Sequence, residues 1–384
     1  MDFAENPDHV ALREAVSAVT RPYGPMYFTE KAHAKQPLTE LWQALGAQGL
    51  IAPNIPEEFG GGGAGMQELA IICEQVGEEG CPLLLLLVSS AISVEILARF
   101  GTTEQKRTWL PRMATGETKI VFAITEPDAG SNTHKISTTA RRDGSDWLLA
   151  GQKYFISGVD EAEAILVVAR TGETGSDGRG RLSLFLVPAN APGLMTHFLP
   201  VDLIAPEKQY TLFFDDVRVS DDQLVGTEGD GFAQVFHGLN PERISGAALA
   251  IGAGRYALGR AVDYARTREV WGRPIGAHQG VSHPLARTKI ELELASLMTL
   301  KAAWQHDHDL PAGEASNMAK YGAAEAAIAA VDTAMQTHGG LGMSTEYGLL
   351  PIWGLARLLR TAPVSREMIL NHIAQNTLGL PRSY

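Results

Sequence analysis

The residues best suited to contact a ligand lie at positions 125–132, where a turn containing Gly130 and Ser131 follows an apolar run. Backbone N–H groups in such a turn can point at an electron-rich edge of a ligand, and Ser131 adds a hydroxyl. An ordinary β-turn explains the same residues. The segment alone therefore indicates a polar contact only if other segments supply the rest of a site.

Three further patterns imitate ligand sites but have simpler structural explanations. Residues 60–65 satisfy a dinucleotide glycine pattern, yet two prolines precede them where a strand should stand. Residues 306–309 alternate His and Asp like a metal cluster. Because adjacent residues cannot all face one ion, we expect this run to cap a helix before Pro311. Gly252 and Gly254 lie in a helical pattern, which predicts close helix packing, and the sequence contains no Walker-type phosphate loop.

Composition and charge exclude several kinds of partner. The chain has 384 residues, of which 45% are hydrophobic and 20% charged, and its formal net charge is −12. A nucleic acid or an anionic membrane surface would require a net basic face, so we expect neither as a partner. The most apolar run, residues 83–88, is far shorter than the roughly 18 residues of a membrane span and predicts a buried helix.

Cysteine usage indicates a reducing compartment. Cys73 and Cys81 are too few for a disulfide scaffold and stand in apolar sequence, so we expect reduced, buried thiols. The N-terminal residues have neither the basic segment nor the long apolar run of a secretory signal. Both observations favour a cytoplasmic protein.

The hydrophobic pattern divides the chain into three parts. Residues 1–119 repeat apolar side chains at helical spacing, and residues 226–384 do so again. Between them, residues 120–225 hold short runs rich in β-branched and aromatic residues, separated by turns such as Asp143-Gly144 and Asp177-Gly178, which predicts a β-domain. The strand-like runs are residues 119–125, 147–156, 165–170, 182–187 and 210–214.

Two segments more than two hundred positions apart carry a family resemblance. Residues 122–132 (FAITEPDAGSN) and 336–347 (QTHGGLGMSTEY) resemble the signature segments of acyl-CoA dehydrogenases, flavoenzymes that oxidise the α–β bond of an acyl thioester. Weaker matches follow in the expected order at residues 56–61, 101–106 and 267–275. The resemblance thus covers nearly the whole chain. It implies an α+β multidomain fold with an N-terminal all-α domain, a middle β-domain and a C-terminal all-α four-helix bundle.

The resemblance also implies FAD as the cofactor and places the first signature segment along the flavin ring. Asn132 replaces a usual aspartate, which removes charge but keeps the turn. Phe155 and Ser157 match positions where the family sets an aromatic ring on the flavin and a hydroxyl near its N5. Ser131 would also lie near the CoA part of the substrate. The flavin contacts implied in the first segment are Phe122, Ile124, Thr125, Gly130 and Ser131.

The far end of FAD is assigned by the same resemblance to the C-terminal part of the chain. Arg268 would bind the pyrophosphate, because a guanidinium matches phosphate oxygens, although a surface ion pair is the alternative. In the family this arginine reaches the cofactor of a neighbouring subunit, which implies a homo-oligomer, either a dimer or a tetramer. The adenine end is assigned to Trp271, Gln279, Gln336, Gly339 and Gly340.

One departure from the family concerns the catalytic base. Pro363 stands where many members carry their catalytic glutamate, and proline cannot accept a proton. The long-chain and isovaleryl types instead carry a glutamate before an arginine at a helix start, and Glu242 and Arg243 match that position. Glu242 is therefore the candidate base. Glu367, four positions after Pro363, is a second candidate.

The residues before Glu242 predict that a helix begins there. Asn240 would be its cap and Pro241 its first residue. By the resemblance, Asn240 and Arg243 would also contact the substrate. A purely structural role for Glu242 stays open, because the helix dipole stabilises an acid in a first turn by about 0.3–1 kcal/mol.

The activity implied by the resemblance is FAD-dependent dehydrogenation of an acyl-CoA to its 2-enoyl-CoA. Glu242 would remove the α-proton while hydride passes from the β-carbon to flavin N5, and an electron-transferring flavoprotein would accept the electrons. The alternatives are a flavin-dependent monooxygenase or oxidase on the same fold, and a catalytically silent subunit of a hetero-oligomer. The sequence leaves the length, branching and ring content of the acyl group open.

Overall fold

Helical regions precede and follow a single large β-sheet in this chain. The computed structural model describes residues 5–174 and 180–382. Residues 1–4 and the turn predicted at Asp177-Gly178 lie outside the described residues. The α-helices are α1 (Pro7–Thr20), α2 (Gly24–Ala34), α3 (Thr39–Ala47), α4 (Met66–Glu78), α5 (Val94–Phe100), α6 (Thr103–Ala114), α7 (Gly231–Thr267), α8 (Gln279–Asp307), α9 (Gly313–His338), α10 (Leu349–Thr361) and α11 (Arg366–His372).

The middle region is an eight-stranded sheet with the order β6-β7-β3-β2-β4-β5-β8, and β1 pairs in parallel with β4. A separate two-stranded hairpin, β9–β10, follows α7. The strands are β1 (Ile120–Ala123), β2 (Thr139–Asp143), β3 (Asp146–Ser157), β4 (Ala164–Thr174), β5 (Gly180–Pro188), β6 (Leu194–Leu199), β7 (Gln209–Val219), β8 (Leu224–Val225), β9 (Glu269–Val270) and β10 (Arg273–Pro274).

The helix, sheet, helix order expected from the sequence is confirmed, and all five strand-like runs form strands. Residues 164–169 of β4 and 182–187 of β5 are buried throughout, which explains their continuous apolar character. Three strands in this sheet were not predicted. β2 and β6 expose most of their side chains and β8 has only two residues, so none carries a clear apolar alternation.

The apolar run at residues 83–88 is almost wholly buried, as expected, but it is helical only from residue 85 onward, and its geometry differs from an α-helix. Leu86–Ser93 winds as a π-helix that continues directly into α5. It packs against α7 on one side and β1 on the other. This segment therefore joins the N-terminal helices to both of the other regions.

The prediction that a helix starts at Asn240 is wrong. α7 begins at Gly231 and runs without interruption through Pro241. Proline inside a helix lacks one backbone donor, which here leaves the carbonyl of His237 without its usual partner. Burial of this part of α7 against neighbouring helices outweighs that loss. Asn240 is not a cap, because its Oδ1 accepts a hydrogen bond from Arg243 Nη1 at 3.0 Å.

Two predictions about small motifs are confirmed by the packing. A Cβ atom at Gly252 would lie 2.0 Å from the carbonyl oxygen of Glu74, so α4 and α7 approach closely at this glycine. The run at residues 306–309 does end a helix, since α8 stops at Asp307. The helix that it caps is α4, because the Asp307 carboxylate accepts from the backbone N–H groups of Met66 and Gln67 at 2.6 and 3.0 Å.

Both cysteines are free thiols in the core, as expected. Burial raises the pKa of the Cys81 thiol to about 12, which leaves it protonated. Within residues 5–174 and 180–382, no helix has the combination of length and apolar character needed to cross a bilayer.

Candidate active site

A buried ion pair fixes the strand end that precedes the first signature turn. Lys153 on β3 is fully buried, and its Nζ donates to Glu126 Oε1 at 2.8 Å and to the carbonyl of Ile124 at 2.9 Å. Glu126 also accepts from the backbone N–H groups of Ser137 and Thr138 at 2.6 and 3.0 Å. Residues 124–126 are thus held rigidly beside β3.

The charges of Lys153 and Glu126 explain why the two side chains hold each other in place. Burial would raise the pKa of Glu126, but Lys153 and the hydrogen bonds bring that pKa down to about 2. The carboxylate is therefore ionised at neutral pH and bound by a cation. Neither Lys153 nor the role of Glu126 was singled out from the sequence, because a lysine inside a strand looks like any solvent-facing residue until its burial is known.

Phe155 has the geometry expected of a residue that contacts a ligand. It lies at a register shift between β3 and β7, its φ is 57°, and its side chain is 52% exposed. A bulky residue in the left-handed region is strained, and such strain concentrates at functional sites. Two residues on, the Ser157 hydroxyl donates to Gln209 Oε1 at 3.0 Å.

The first signature segment presents a mixture of buried and accessible residues. Phe122 is buried in β1, so its ring belongs to the core. Ile124 and Thr125 are partly exposed, and Gly130 and Ser131 are exposed. The accessible part of the segment is therefore the turn together with the strand end that Lys153 holds.

The residues assigned to the far end of FAD lie at the C-terminal end of α7 and beyond it. Arg268 is the first residue after α7 and is exposed. Across the described part of the chain its guanidinium has no ion pair, so the surface ion pair considered as its alternative is not seen. Trp271, in the β9–β10 turn, has a φ of 53° and is 88% exposed. The other exposed residues of this group are Gln279, Gln336, Gly339 and Gly340.

Glu242 lies on a face of α7 that is turned toward apolar side chains. Gly238 and Gly246, one turn to either side of it, share this face. A Cβ at Gly238 would lie 2.9 Å from Ile96, and one at Gly246 would lie 3.4 Å from Leu87. Because Glu242 lies between these two glycines on the helix, we infer that it faces the apolar segment formed by Leu86–Ser93 and α5.

The carboxyl of Glu242 has a pKa raised toward neutral pH. Its side chain is only partly exposed. Burial raises the pKa of Glu242 to about 7, while the positive charges of Arg243 and Lys320 oppose that rise. Lys320, on α9, is buried and its Nζ donates to the carbonyl of Val364. Burial lowers the pKa of Lys320 to about 8, and Glu242 acts in the opposite direction. Nothing in the residue pattern singles out Lys320.

Arg243 is buried beside Glu242 and is incompletely satisfied. Its Nη1 donates to Asn240 Oδ1, but its Nε has no hydrogen-bond partner among the described residues. A buried guanidinium N–H without an acceptor is costly. This donor is therefore available to a bound group.

The second candidate base has a less suitable environment. Pro363 lies between α10 and α11, and Glu367 lies in the first turn of α11. The Glu367 side chain is 69% exposed and forms an ion pair with the neighbouring Arg366 at 3.1 Å. This carboxylate therefore lies in solvent beside a cation, whereas that of Glu242 is largely removed from solvent.

Comparison with known proteins identifies the family to which this arrangement belongs. The models for the N-terminal, middle and C-terminal domains of acyl-CoA dehydrogenases match residues 6–117, 121–217 and 229–378. The chain is 55% identical over 384 residues to acyl-CoA dehydrogenase FadE12 of Mycobacterium tuberculosis. The alignment covers 100% of this chain and 99% of that protein. The chain belongs to the acyl-CoA dehydrogenase family.

Solved structures of family members agree with this assignment. Butyryl-CoA dehydrogenase of Megasphaera elsdenii superposes with a TM-score of 0.93 at 25% identity, covering 98% of this chain and 100% of that one. The FAD complex of PigA superposes with a TM-score of 0.91 at 27% identity, covering 99% and 100%. The protein is an FAD-dependent oxidoreductase with the three-part acyl-CoA dehydrogenase fold.

The residues present fit an FAD molecule. Phe155 and Trp271 are exposed aromatic side chains on strained backbone, and Arg268 is an exposed guanidinium without an ion pair among the described residues. An aromatic ring system would stack on the exposed side chains and a phosphate would pair with the guanidinium.

Proposed function

We propose that this protein oxidises the α–β bond of an acyl-CoA thioester and that Glu242 is its catalytic base. The observation that supports Glu242 most directly is its position on α7 between Gly238 and Gly246, which lie against Ile96 and Leu87 of the apolar segment. An acyl chain bound against that segment would bring its α-carbon beside a carboxyl whose pKa is already near 7. A base with such a pKa suits proton abstraction at neutral pH.

The chain's own residues would act in the following way. The Glu242 carboxylate takes the α-proton of the acyl group, and the C–H electron pair becomes the new α–β double bond. FAD, when bound, supplies the acceptor for the hydride that leaves the β-carbon. Arg243 keeps Asn240 in place through its Nη1 and offers its Nε to a bound group. The apolar wall excludes water, which keeps the pKa of Glu242 raised.

The residues proposed to bind the cofactor, called here the cofactor cradle, lie in two separate parts of the chain. Residues 122–131, Phe155 and Ser157 would contact the flavin end, and Arg268 with the residues that follow it would contact the far end. Arg268 follows the end of α7 and lies 26 positions after Glu242, which is about 39 Å at 1.5 Å per residue. That separation exceeds the length of an extended FAD molecule. Arg268 would therefore serve the cofactor of a second copy.

The redox partner and the cellular setting follow from this proposal. Transfer of electrons from the reduced cofactor to an electron-transferring flavoprotein would complete the cycle, and fatty acid or related acyl metabolism in the cytoplasm would supply the substrate. The apolar wall supports an acyl group and leaves its length open.

The decisive experiment is anaerobic reduction of the bound flavin by acyl-CoA thioesters. The wild-type protein should lose its oxidised flavin absorbance with at least one member of a panel of straight, branched and ring-bearing acyl-CoAs. Glu242→Gln should retain FAD but reduce it about 10²–10⁴-fold more slowly. Glu367→Gln is the matched control and should behave like wild type. Near-normal reduction in Glu242→Gln would remove Glu242 from the mechanism.

Readmission of air to the reduced protein distinguishes a dehydrogenase from an oxidase. A dehydrogenase should stay reduced for minutes until an electron acceptor is added. Immediate return of the oxidised spectrum would instead indicate an oxidase on the same fold.

A further inference from the structure

A second polar site lies in a cavity between the N-terminal helices and the C-terminal bundle. The cavity has a volume of about 810 Å³ and opens to solvent. It adjoins the site of Glu242 at Asn240 and along α5, and no role assigned above requires its charged or imidazole side chains. Its charged and imidazole side chains include Glu68, Glu95, Arg99, His237, His306, Asp307 and Asp309.

Three of these side chains converge on one point. Glu95 of α5, His237 of α7 and His306 of α8 each offer one donor atom, and these atoms all lie within 4.8 Å of one another. His306 Nε2 is 3.6 Å from Glu95 Oε2, and the two imidazole centroids are 5.7 Å apart. A zinc ion binds imidazole nitrogen and carboxylate oxygen at about 2.0–2.2 Å, so closure by about 1 Å would complete the set.

The surroundings hold these three ligands in place. Asn54 Nδ2 donates to Glu95 Oε1 at 2.6 Å, which fixes the carboxylate and leaves Oε2 on the side of His306. The Phe100 ring packs edge-on against the His237 ring with 5.5 Å between centroids. Outer contacts of this kind orient the ligands of metal sites.

The charge around the site favours a cation. Besides Glu95, the described residues that line the cavity carry three more carboxylates, those of Glu68, Asp307 and Asp309, against one arginine, Arg99, which lies 3.8 Å from Asp309. Two imidazoles and one carboxylate match the preference of Zn²⁺, Co²⁺ and Ni²⁺ for nitrogen and oxygen ligands. The open cavity leaves a coordination position for water.

We propose that Glu95, His237 and His306 form a binding site for a divalent transition metal of the zinc class. The ion would join α5, α7 and α8 at one point. Since His237 precedes Glu242 by five residues on α7, the ion would also stiffen the helix turn that leads to Glu242. The proposal does not depend on the dehydrogenase function proposed above.

The test is calorimetric titration of ZnCl₂ into the untagged, FAD-loaded protein, because a polyhistidine tag would itself bind zinc. We expect one saturable zinc per chain that EDTA removes. His237→Gln and His306→Gln should each lower the affinity at least tenfold. The matched control is His308→Gln, which changes an exposed histidine two residues from His306 that bonds to the Trp304 carbonyl instead. It should bind zinc like wild type.

A spectroscopic measurement tests the ligands themselves. X-ray absorption at the zinc edge should show two imidazole ligands in the wild type and one in His306→Gln. Glu95→Gln provides a second variant, and retained flavin absorbance shows that each variant is folded. The absence of saturable binding in the wild type, or binding of unchanged affinity in the double variant of His237 and His306, would overturn the proposal.

Discussion

Lys320 places a positive charge near the carboxyl of Glu242 from a different helix. Burial raises the pKa of Glu242, and Lys320 opposes that rise together with Arg243. Because the base must be deprotonated, flavin reduction in the wild type should speed up as the pH rises through about 7. If Glu242 is the base, Lys320 should influence the pH range of the reaction without contacting the reacting atoms.

Replacement of this lysine should move that pH profile. In Lys320→Met the opposing charge is gone, so the pKa of Glu242 should rise and the midpoint of reduction rate against pH should shift upward by about one pH unit or less. Rapid-reaction absorbance of the flavin at a series of pH values measures this midpoint. Lys301→Met, an exposed lysine on α8, is the control. An unchanged midpoint would contradict the proposed influence of Lys320.

The Lys153–Glu126 pair should be far more important for stability than an exposed pair of the same kind. Lys153→Met leaves a buried carboxylate without its cation, which costs about 3–5 kcal/mol of unfolding free energy. Lys208 pairs with Asp160 at 2.8 Å near the surface, and Lys208→Met should cost less than about 1 kcal/mol. Thermal unfolding of the two variants compares them directly. Equal decreases in Tm would show that the buried pair contributes no more to stability than the exposed pair.

At the scale of elements, Glu207 joins the sheet to the N-terminal helices. It lies in the connection from β6 to β7, is buried, and its Oε1 accepts from the backbone N–H of Leu84 at 3.1 Å. Burial, with a smaller contribution from Glu161, raises the pKa of Glu207 to about 7 from an ordinary value of 4.5. Because the folded pKa is raised, its stabilising effect is complete below about pH 4.5 and is lost as the pH rises through 7.

A neutral isostere should remove this pH dependence. Glu207→Gln keeps an oxygen acceptor for Leu84 but carries no charge. The variant should therefore be more stable than wild type at pH 8, by roughly 1–3 kcal/mol, and similar to it at pH 5. Thermal unfolding at both pH values measures the difference, with the exposed Glu58→Gln as control. A variant that is less stable at pH 8 would show that the charged form is favoured in the fold.

The elements also show what the sequence could predict. Runs rich in β-branched and aromatic residues identified β1, β3, β4, β5 and β7. The signal is strongest in β1, β4 and β5, whose apolar runs are buried throughout, whereas β3 and β7 also carry exposed residues. The error at Asn240-Pro241 arose because these residue types favour a helix start, whereas the surrounding packing continues the helix through them. β6 was missed because an edge strand with exposed side chains resembles a loop.

The same distinction between local and long-range signals explains which residues of the candidate site could be predicted from the sequence. Glu242 could be proposed from its neighbours in sequence, because a glutamate before an arginine matches a family position. Lys320 and Lys153 could not, since their importance depends on burial and on contacts with residues far along the chain. His306 was set aside with its neighbours for a sound reason. Only the fold shows that it meets His237, 69 positions away, and Glu95.

At the scale of the whole molecule, one surface has the character of a contact between copies. Ile290, Leu294 and Leu297 are each more than half exposed and share one face of α8. A stripe of this kind usually marks an interface. A second copy is the occupant that the proposed cofactor cradle also requires, because Arg268 lies too far from Glu242 to act on the same FAD. We therefore expect a homodimer or a tetramer built from such pairs.

The continuous 37-residue helix α7 has a genetic consequence. If it carries the proton acceptor of one centre and the phosphate-binding arginine of another, two differently damaged chains can rescue each other. Glu242→Gln and Arg268→Ala should each be nearly inactive alone. The two variants are unfolded together and refolded at equal ratio. About a quarter of all active centres should then be intact, because half of the pairs are mixed and each mixed pair has one undamaged centre out of two. Turnover no greater than the sum of the separate preparations would mean that each chain builds its centre alone.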